Sequence, residues 1–241
     1  TFRVIYATDL AQDNNPSNDS LIQVFHISDS YLSKVEIDGA GQPLATRAIF
    51  PGGTNFNRIE YGAIFSSPNG GTDNLTMESI DYRYYVPSTY NGTPTATVKA
   101  YVYEFIDGGF GSGTVDGIIN NRSELREVAS GTDTVGNFTN NSYASSSIDL
   151  DGVNPSLDRF EMADGSTYLV TISLEGAQFT STNSIWFAAS QDRRSYAMNS
   201  IGASATNPFL APSQLIIEDG TGTENLYQLG FGTDVQPSFG I

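Results

Sequence analysis

The sequence predicts an all-β fold, an antiparallel β-sandwich of jelly-roll type. Three observations predict it. Apolar and polar residues alternate over short runs, and no window shows the 3.6-residue period of an amphipathic helix. Turn-forming Gly, Pro, Asn and Asp clusters separate those runs. Only 16% of the residues are charged, while the chain carries 24 glycines and abundant Ser, Thr and Asn. Many short strands joined by such turns pack as two sheets or close into a barrel.

The elements follow in chain order. Phe2–Ala7 is the first expected strand. Leu21–Ile27 is apolar on both faces apart from Gln23 and His26, which predicts a central strand. Ala45–Phe50 and Arg58–Phe65 come next, separated by Pro51-Gly-Gly53. Pro68-Asn-Gly-Gly71 precedes a run in which Ile80, Tyr82, Tyr84 and Val86 share one face. After Asn91-Gly-Thr-Pro94, Val98, Ala100 and Val102 point one way, and Thr97, Lys99 and Tyr101 the other, within Ala96–Phe105. Leu125–Ala129 and Ser145–Leu150 are further strands. Asp164-Gly165, between Phe160 and Tyr168, reads as a hairpin turn. Tyr168, Val170, Ile172 and Leu174 line a face, and Ile185, Phe187 and Ala189 repeat the pattern. Gln214–Ile217 and Leu226–Phe231 complete the set. Residues 1–241 are expected to form one domain, because neither half has a complete set of strands. The segment 107–120, with Asp107-Gly-Gly109, marks a long loop or a sub-boundary.

Composition narrows the chemistry. The chain has one histidine, His26, and no cysteine. A thiol nucleophile and a Cys- or multi-His zinc site are therefore excluded. A Ser-His-Asp triad would have to run through His26, and no G-x-S-x-G elbow accompanies it. By alternation His26 lies beside Ile22 and Val24, the setting of a core or interface histidine. A glycosidase needs two carboxylates across a cleft. With 27 acidic residues some pair always fits, so that pattern carries no information. The expectation is a protein that binds without catalysis.

The net charge is −16, and two of the eleven basic residues are lysines, Lys34 and Lys99. Phosphates are repelled, so neither nucleic acid nor an anionic membrane is an expected partner. No stretch reaches the roughly 18 apolar residues of a membrane span. The chain begins at Thr1 with no charged-plus-apolar leader and reads as a mature or trimmed product. A large core without disulfides is compatible with secretion.

Two acidic loops are candidate calcium sites, because calcium takes hard oxygens from flexible loops. In Asp9–Asp19, the aspartates Asp9, Asp13 and Asp19 can converge with Asn15. In Asp149–Asp158, the candidates are Asp149, Asp151 and Asp158. Neither has EF-hand spacing, and both also suit solvated loops with local Asx turns. The 13 Tyr, 14 Phe and one Trp supply candidate stacking rings for a glycan. Trp186, Tyr101 and Tyr103, with Tyr84 and Tyr85, lie on predicted strands. The same rings also suit a core and cross-strand pairs.

Five segments, in order, carry a family resemblance. They are Ser17–Leu32 (N-D-S…F-H-I-S-D-S-Y-L), Tyr61-Gly-Ala-Ile-Phe65, Thr97–Glu104 (T-V-K-A-Y-V-Y-E), Met162–Thr171 (M-A-D-G-S-T-Y-L-V-T) and Leu229-Gly-Phe-Gly232. Together they resemble passenger β-sandwich regions of large secreted Bacteroidota proteins, the cargo of the type IX secretion system. Such cargo carries a C-terminal sorting domain that is removed at the cell surface, and a sequence ending at Ile241 without one is what the resemblance leads one to expect of a processed or trimmed product. The resemblance implies a secreted or cell-surface location rather than one activity. It also implies O-glycans at Asp-(Ser/Thr) steps followed by a small or aliphatic residue, which here are Ser20 and Thr134. Six Asn-x-Ser/Thr sequons, at Asn18, Asn74, Asn91, Asn121, Asn137 and Asn140, would matter in a eukaryotic source.

The functional expectation is a non-catalytic secreted or cell-surface structural or adhesive module. Its expected partners are other surface proteins or copies of itself, with Thr1–Ala7 able to add to a neighbour's sheet. The alternative is a carbohydrate-binding jelly-roll module with structural calcium. A carboxylate-dependent glycan hydrolase ranks last.

Overall fold

The computed structural model describes residues 2–7, 20–25, 32–33, 35–53, 55–66, 75–106, 122–152, 160–164, 166–191, 213–228, 231 and 235–241. Over these residues the protein is all-β, and every strand pair is antiparallel. Its helical content there is one 3₁₀ turn, Arg122–Glu124.

The chain divides into two compact units, residues 1–32 and 33–241. In the first, β1 (Phe2–Ala7) pairs with β2 (Ser20–Phe25), Phe2 opposite Phe25 and Ala7 opposite Ser20. The expected central strand thus sits in a two-stranded sheet. Apolarity on both faces reports what can cover a strand, whereas its position in a sheet depends on backbone pairing.

The second unit holds β3 (Arg47–Ile49), β4 (Phe56–Ser66), β5 (Leu75–Met77), β6 (Ser79–Val86), β7 (Thr95–Phe105), β8 (Leu125–Gly136), β9 (Ser142–Asp149), β10 (Asp151–Gly152), β11 (Phe160–Met162), β12 (Thr167–Phe179), β13 (Trp186–Gln191), β14 (Gln214–Asp219), β15 (Glu224–Gln228), β16 (Val235–Pro237) and β17 (Phe239–Gly240). One sheet runs β10-β8-β7-β12-β4-β14-β15. A second runs β16-β13-β6-β17, with β3 on β13 and β9 on β6. The expected hairpin at Asp164-Gly165 does not form. Strand β11 pairs with β5, while β12 is flanked from Tyr168 onward by β4 and β7. With both edges of β12 occupied, no ladder is left for β11.

Alternation sets the core as the sequence predicts. Ile80, Tyr82, Tyr84 and Val86 of β6 are buried together with Val98, Ala100 and Val102 of β7. Tyr168, Val170, Ile172 and Leu174 of β12, and Phe187 and Ala189 of β13, belong to the same cluster. Residues of both large sheets therefore meet in one apolar interior, each fully buried Leu, Ile or Val contributing about 1.5–3 kcal/mol. The opposite face of the seven-stranded sheet carries a second cluster, Ile64, Tyr101, Tyr103, Leu125, Leu169 and Ile216. Strand β8 extends past the expected Ala129 to Gly136. A Cβ at Gly131 would lie 2.5 Å from the Ile148 methyl, so glycine is needed where β8 passes close to β9.

Candidate ligand-binding site

Two of the three expected stacking rings lie in a buried polar network. Tyr101 is 9% exposed and Tyr103 2%, and their rings stack at 5.7 Å. Strand β7 is covered on this face as well as on the core face, so neither ring has an open side for a ligand. The Tyr103 hydroxyl donates to Glu60 at 3.0 Å, and the Thr171 hydroxyl donates to the same carboxylate at 3.1 Å. Glu60 is 0% exposed. Arg122 pairs with it at 2.8 Å and Arg58 at 3.2 Å. Arg122 also donates to the Tyr103 oxygen at 2.6 Å and lies 5.1 Å over its ring. Arg58 continues the network to Glu218 at 3.2 Å and to Glu224.

Register builds this cluster. Strand pairing sets Glu60 beside Ser173 and Ile216, and Thr171 beside Gly62 and Tyr101. A Cβ on Gly62 would collide with the Val170 carbonyl oxygen and lie 2.6 Å from the Thr171 methyl. Glycine there allows the close approach of β12 that puts Thr171 within reach of Glu60. Burial, and then the Glu60 charge, pushes the Tyr103 hydroxyl well above its ordinary pKa. Burial opposes the Arg122 cation, but the charge and hydrogen bond of Glu60 together with Tyr103 and Glu224 outweigh it and raise that pKa. This is an ion-pair network closed around Glu60, in which Arg58 Nε is buried and faces Glu60 without a well-formed hydrogen bond.

Trp186 has different surroundings. It is half-buried, and its Nε1 donates to the Ser181 carbonyl at 2.8 Å. Pairing places Trp186 opposite Tyr85, and Tyr85 opposite Tyr143, so three rings cross β13, β6 and β9 in one row. Their centroids are 6.0 and 5.0 Å apart, and all three are half-buried. Arg83 lies 5.9 Å from the Tyr143 ring. Alternation marks these as residues pointing away from the core. The pairing of three separate strands, which sequence does not print, aligns them.

A cleft of about 700 Å³ opens at the end of β7 and β12, walled by the loop 90–93 and the turn 180–184. The register between β12 and β4 shifts between Glu175 and Phe179, and Gln178 within that bulge has φ 52°. Bulges next to binding sites re-aim side chains, and a left-handed non-glycine residue persists only where its surroundings hold it. Glu175 lines the cleft. It accepts from Tyr101 at 2.5 Å and Ser173 at 3.2 Å, and it pairs with Lys99 at 2.7 Å. Burial raises the Glu175 pKa, but the hydrogen bonds from Lys99, Tyr101 and Ser173 and the Lys99 charge together outweigh it and hold the carboxyl below its ordinary range. A Cβ at Gly92 would lie 2.8 Å from the Tyr90 hydroxyl and against the Asn183 carbonyl, so glycine lets the two walls touch. Sequence reasoning missed both Glu60 and Glu175. The available signals were an acidic residue inside the apolar run Ile59–Phe65, and a Glu-Gly step ending a long alternating strand.

Of the expected metal ligands, Asp149 and Asp151 are among the described residues. Asp149 ends β9 and Asp151 opens β10, both exposed, on either side of buried Leu150. Among the described residues no group of three or more His, Cys, Asp or Glu side chains can hold a metal ion. Asp9, Asp13, Asn15, Asp19, His26 and Asp158 lie outside the described residues. Ser20 opens β2. Thr134 is exposed on β8 opposite Thr97. Its neighbour Asp133 accepts from the Tyr82 hydroxyl at 3.0 Å and from Ser146 at 2.6 Å. Burial, and then the Asp133 charge, raises the Tyr82 pKa.

No protein-family model, no curated protein and no solved structure matches this chain.

Proposed function

We propose that this chain is a non-catalytic, secreted or cell-surface β-sandwich module of jelly-roll type with a structural or adhesive role. The observation that carries the reading is the state of its best-placed ionisable groups. Glu60 is enclosed by two arginines, and Glu175 is tied to Lys99, so both carboxylates are committed to ion pairs within the fold. The apolar cluster shared by the two large sheets supports the sandwich, since aligned sheets bury such a cluster between them. The net charge of −16 suits an outer surface that stays soluble. No helix among the described residues is long and apolar enough to cross a membrane.

Its partners in this reading are copies of itself or other surface proteins, and Ser20 and Thr134 carry O-glycans. Native mass spectrometry of protein taken from its native surface tests both. The expected result is a multimer or an added glycan mass that Ser20→Ala or Thr134→Ala removes. An unmodified monomer would sink the assembly reading. The same spectrum with and without a chelator tests the expected calcium.

The row of Trp186, Tyr85 and Tyr143 favours a second reading, a carbohydrate-binding module. Half-open rings aligned across three strands offer stacking area at low conformational cost. Quenching or blue-shift of the single tryptophan's fluorescence on adding an oligosaccharide is the expected signature. An unchanged spectrum across a broad glycan panel counts against it.

A further inference from the structure

We propose that the cleft beside Glu175 is a pocket for a short, uncharged glycan whose hydroxyls bond to the Glu175 carboxylate. This rests on the carbohydrate reading above but assigns the ligand a place other than the row of rings. Size is the first argument. About 700 Å³ lies within the range of small-ligand sites and suits a few sugar rings.

Charge is the second. Glu175 lines the cleft with its carboxylate already neutralised by Lys99 at 2.7 Å, so the pocket selects for neither a free cation nor an anion. The chain's net charge of −16 repels acidic sugars at longer range. Tyr101 and Ser173 occupy Oε1 and Lys99 sits on Oε2, which leaves one lone pair on Oε2 for a ligand hydroxyl, and bonds to an ionised acceptor are the strong ones.

The third argument is the set of polar groups along the walls of the cleft. The Asn183 Oδ1 accepts from the Thr180 amide at 2.6 Å and from the Thr180 hydroxyl at 3.2 Å, which leaves its Nδ2 as a donor. Among the described residues, no side-chain hydrogen bond engages Asn91 or Thr97, which also line the cleft. Tyr90 adds a half-buried ring whose hydroxyl donates to the Thr93 carbonyl at 2.6 Å. Paired donors and acceptors beside one ring match a pyranose, which presents hydroxyls at its edge and C–H groups on its face. The bulge at 176–178 and the Gly92 contact fix these walls before any ligand arrives, which lowers the ordering cost of binding.

The test titrates the full chain with cellotriose, laminaritriose, mannotriose and xylotriose, with trigalacturonate as the charged control. Amide NMR shifts report on the cleft, and Trp186 fluorescence reports on the row of rings. One neutral trisaccharide is expected to shift Asn91, Thr97 and Asn183, while trigalacturonate does not. Glu175→Gln is expected to weaken that binding about tenfold, the effect of one charge-assisted hydrogen bond. Thr97→Trp, which fills the cleft from a partly open position, is expected to abolish it without moving the urea midpoint. Shifts confined to Tyr85, Tyr143 and Trp186 would overturn the cleft assignment and leave the carbohydrate reading standing. Silence from every neutral sugar would overturn both. Binding of trigalacturonate alone would overturn the choice of an uncharged ligand.

Discussion

Glu60 and Glu175 stand on neighbouring strands and are each held by a basic side chain and a tyrosine, yet they occupy opposite situations. Glu60 is closed in by Arg58, Arg122, Tyr103 and Thr171. Glu175 has comparable partners in Lys99, Tyr101 and Ser173 but borders an open cleft. A carboxylate enclosed on every side holds strands in register, whereas one with an open side can also meet a ligand. The difference comes from the backbone. Strand β4 continues regularly past Glu60, whereas β12 bulges directly after Glu175.

The largest break in this contrast is Glu60→Ala. It leaves the buried Tyr103 and Thr171 hydroxyls without their acceptor and removes the buried carboxylate that Arg58 and Arg122 share. The expected loss is about 3 kcal/mol, read as a lower urea midpoint at unchanged slope. Gly62→Ala probes the same cluster from the backbone. Its new methyl has nowhere to go against Val170 and Thr171, and a loss of about 1–3 kcal/mol is expected in the same assay. Stability equal to that of the parent would show that β12 can move away, and would weaken the claim that Gly62 sets the network.

Smaller effects belong to the cleft side. Tyr101→Phe removes one donor to Glu175 and is expected to cost about 1 kcal/mol. It should also let the Glu175 pKa rise, visible as a shifted carboxyl titration by NMR. The smallest effect is the pH dependence. The Glu175 pKa is lowered in the folded protein. Its contribution is therefore complete above the unfolded carboxyl value of about 4.3 and is lost as pH falls through the lower folded value. The stability difference between the parent and Glu175→Gln should shrink on going from pH 6 to pH 3. A difference that stays constant or grows would contradict the hydrogen-bonded, ionised carboxylate.

Much of the fold was legible because burial follows the two-residue period of a strand. The alternations at 80–86, 98–102 and 168–174 each appear in the shared core. What the sequence did not show is pairing. Trp186, Tyr85 and Tyr143 are more than 40 residues apart in every combination, and only the register of β13, β6 and β9 makes them a row. Tyr101 and Tyr103 were legible as strand residues with two readings open, stacking platform or core, and the structure buries both. Their cover on the outer face comes from a second cluster that draws on β4, β12 and β14. Glu60 was hidden for the same reason, since a lone acidic residue acquires meaning only once Arg122 arrives from 62 positions away.

The most direct measurement compares Glu60→Gln with Glu175→Gln, each by urea denaturation and by titration with whichever neutral trisaccharide binds the parent protein. If the two carboxylates divide the work as described, Glu60→Gln lowers the denaturation midpoint and leaves the affinity of the folded protein unchanged. Glu175→Gln weakens binding about tenfold and lowers the midpoint by clearly less than Glu60→Gln does. Equal losses of stability from both variants, or affinity that follows Glu60 rather than Glu175, would contradict that division.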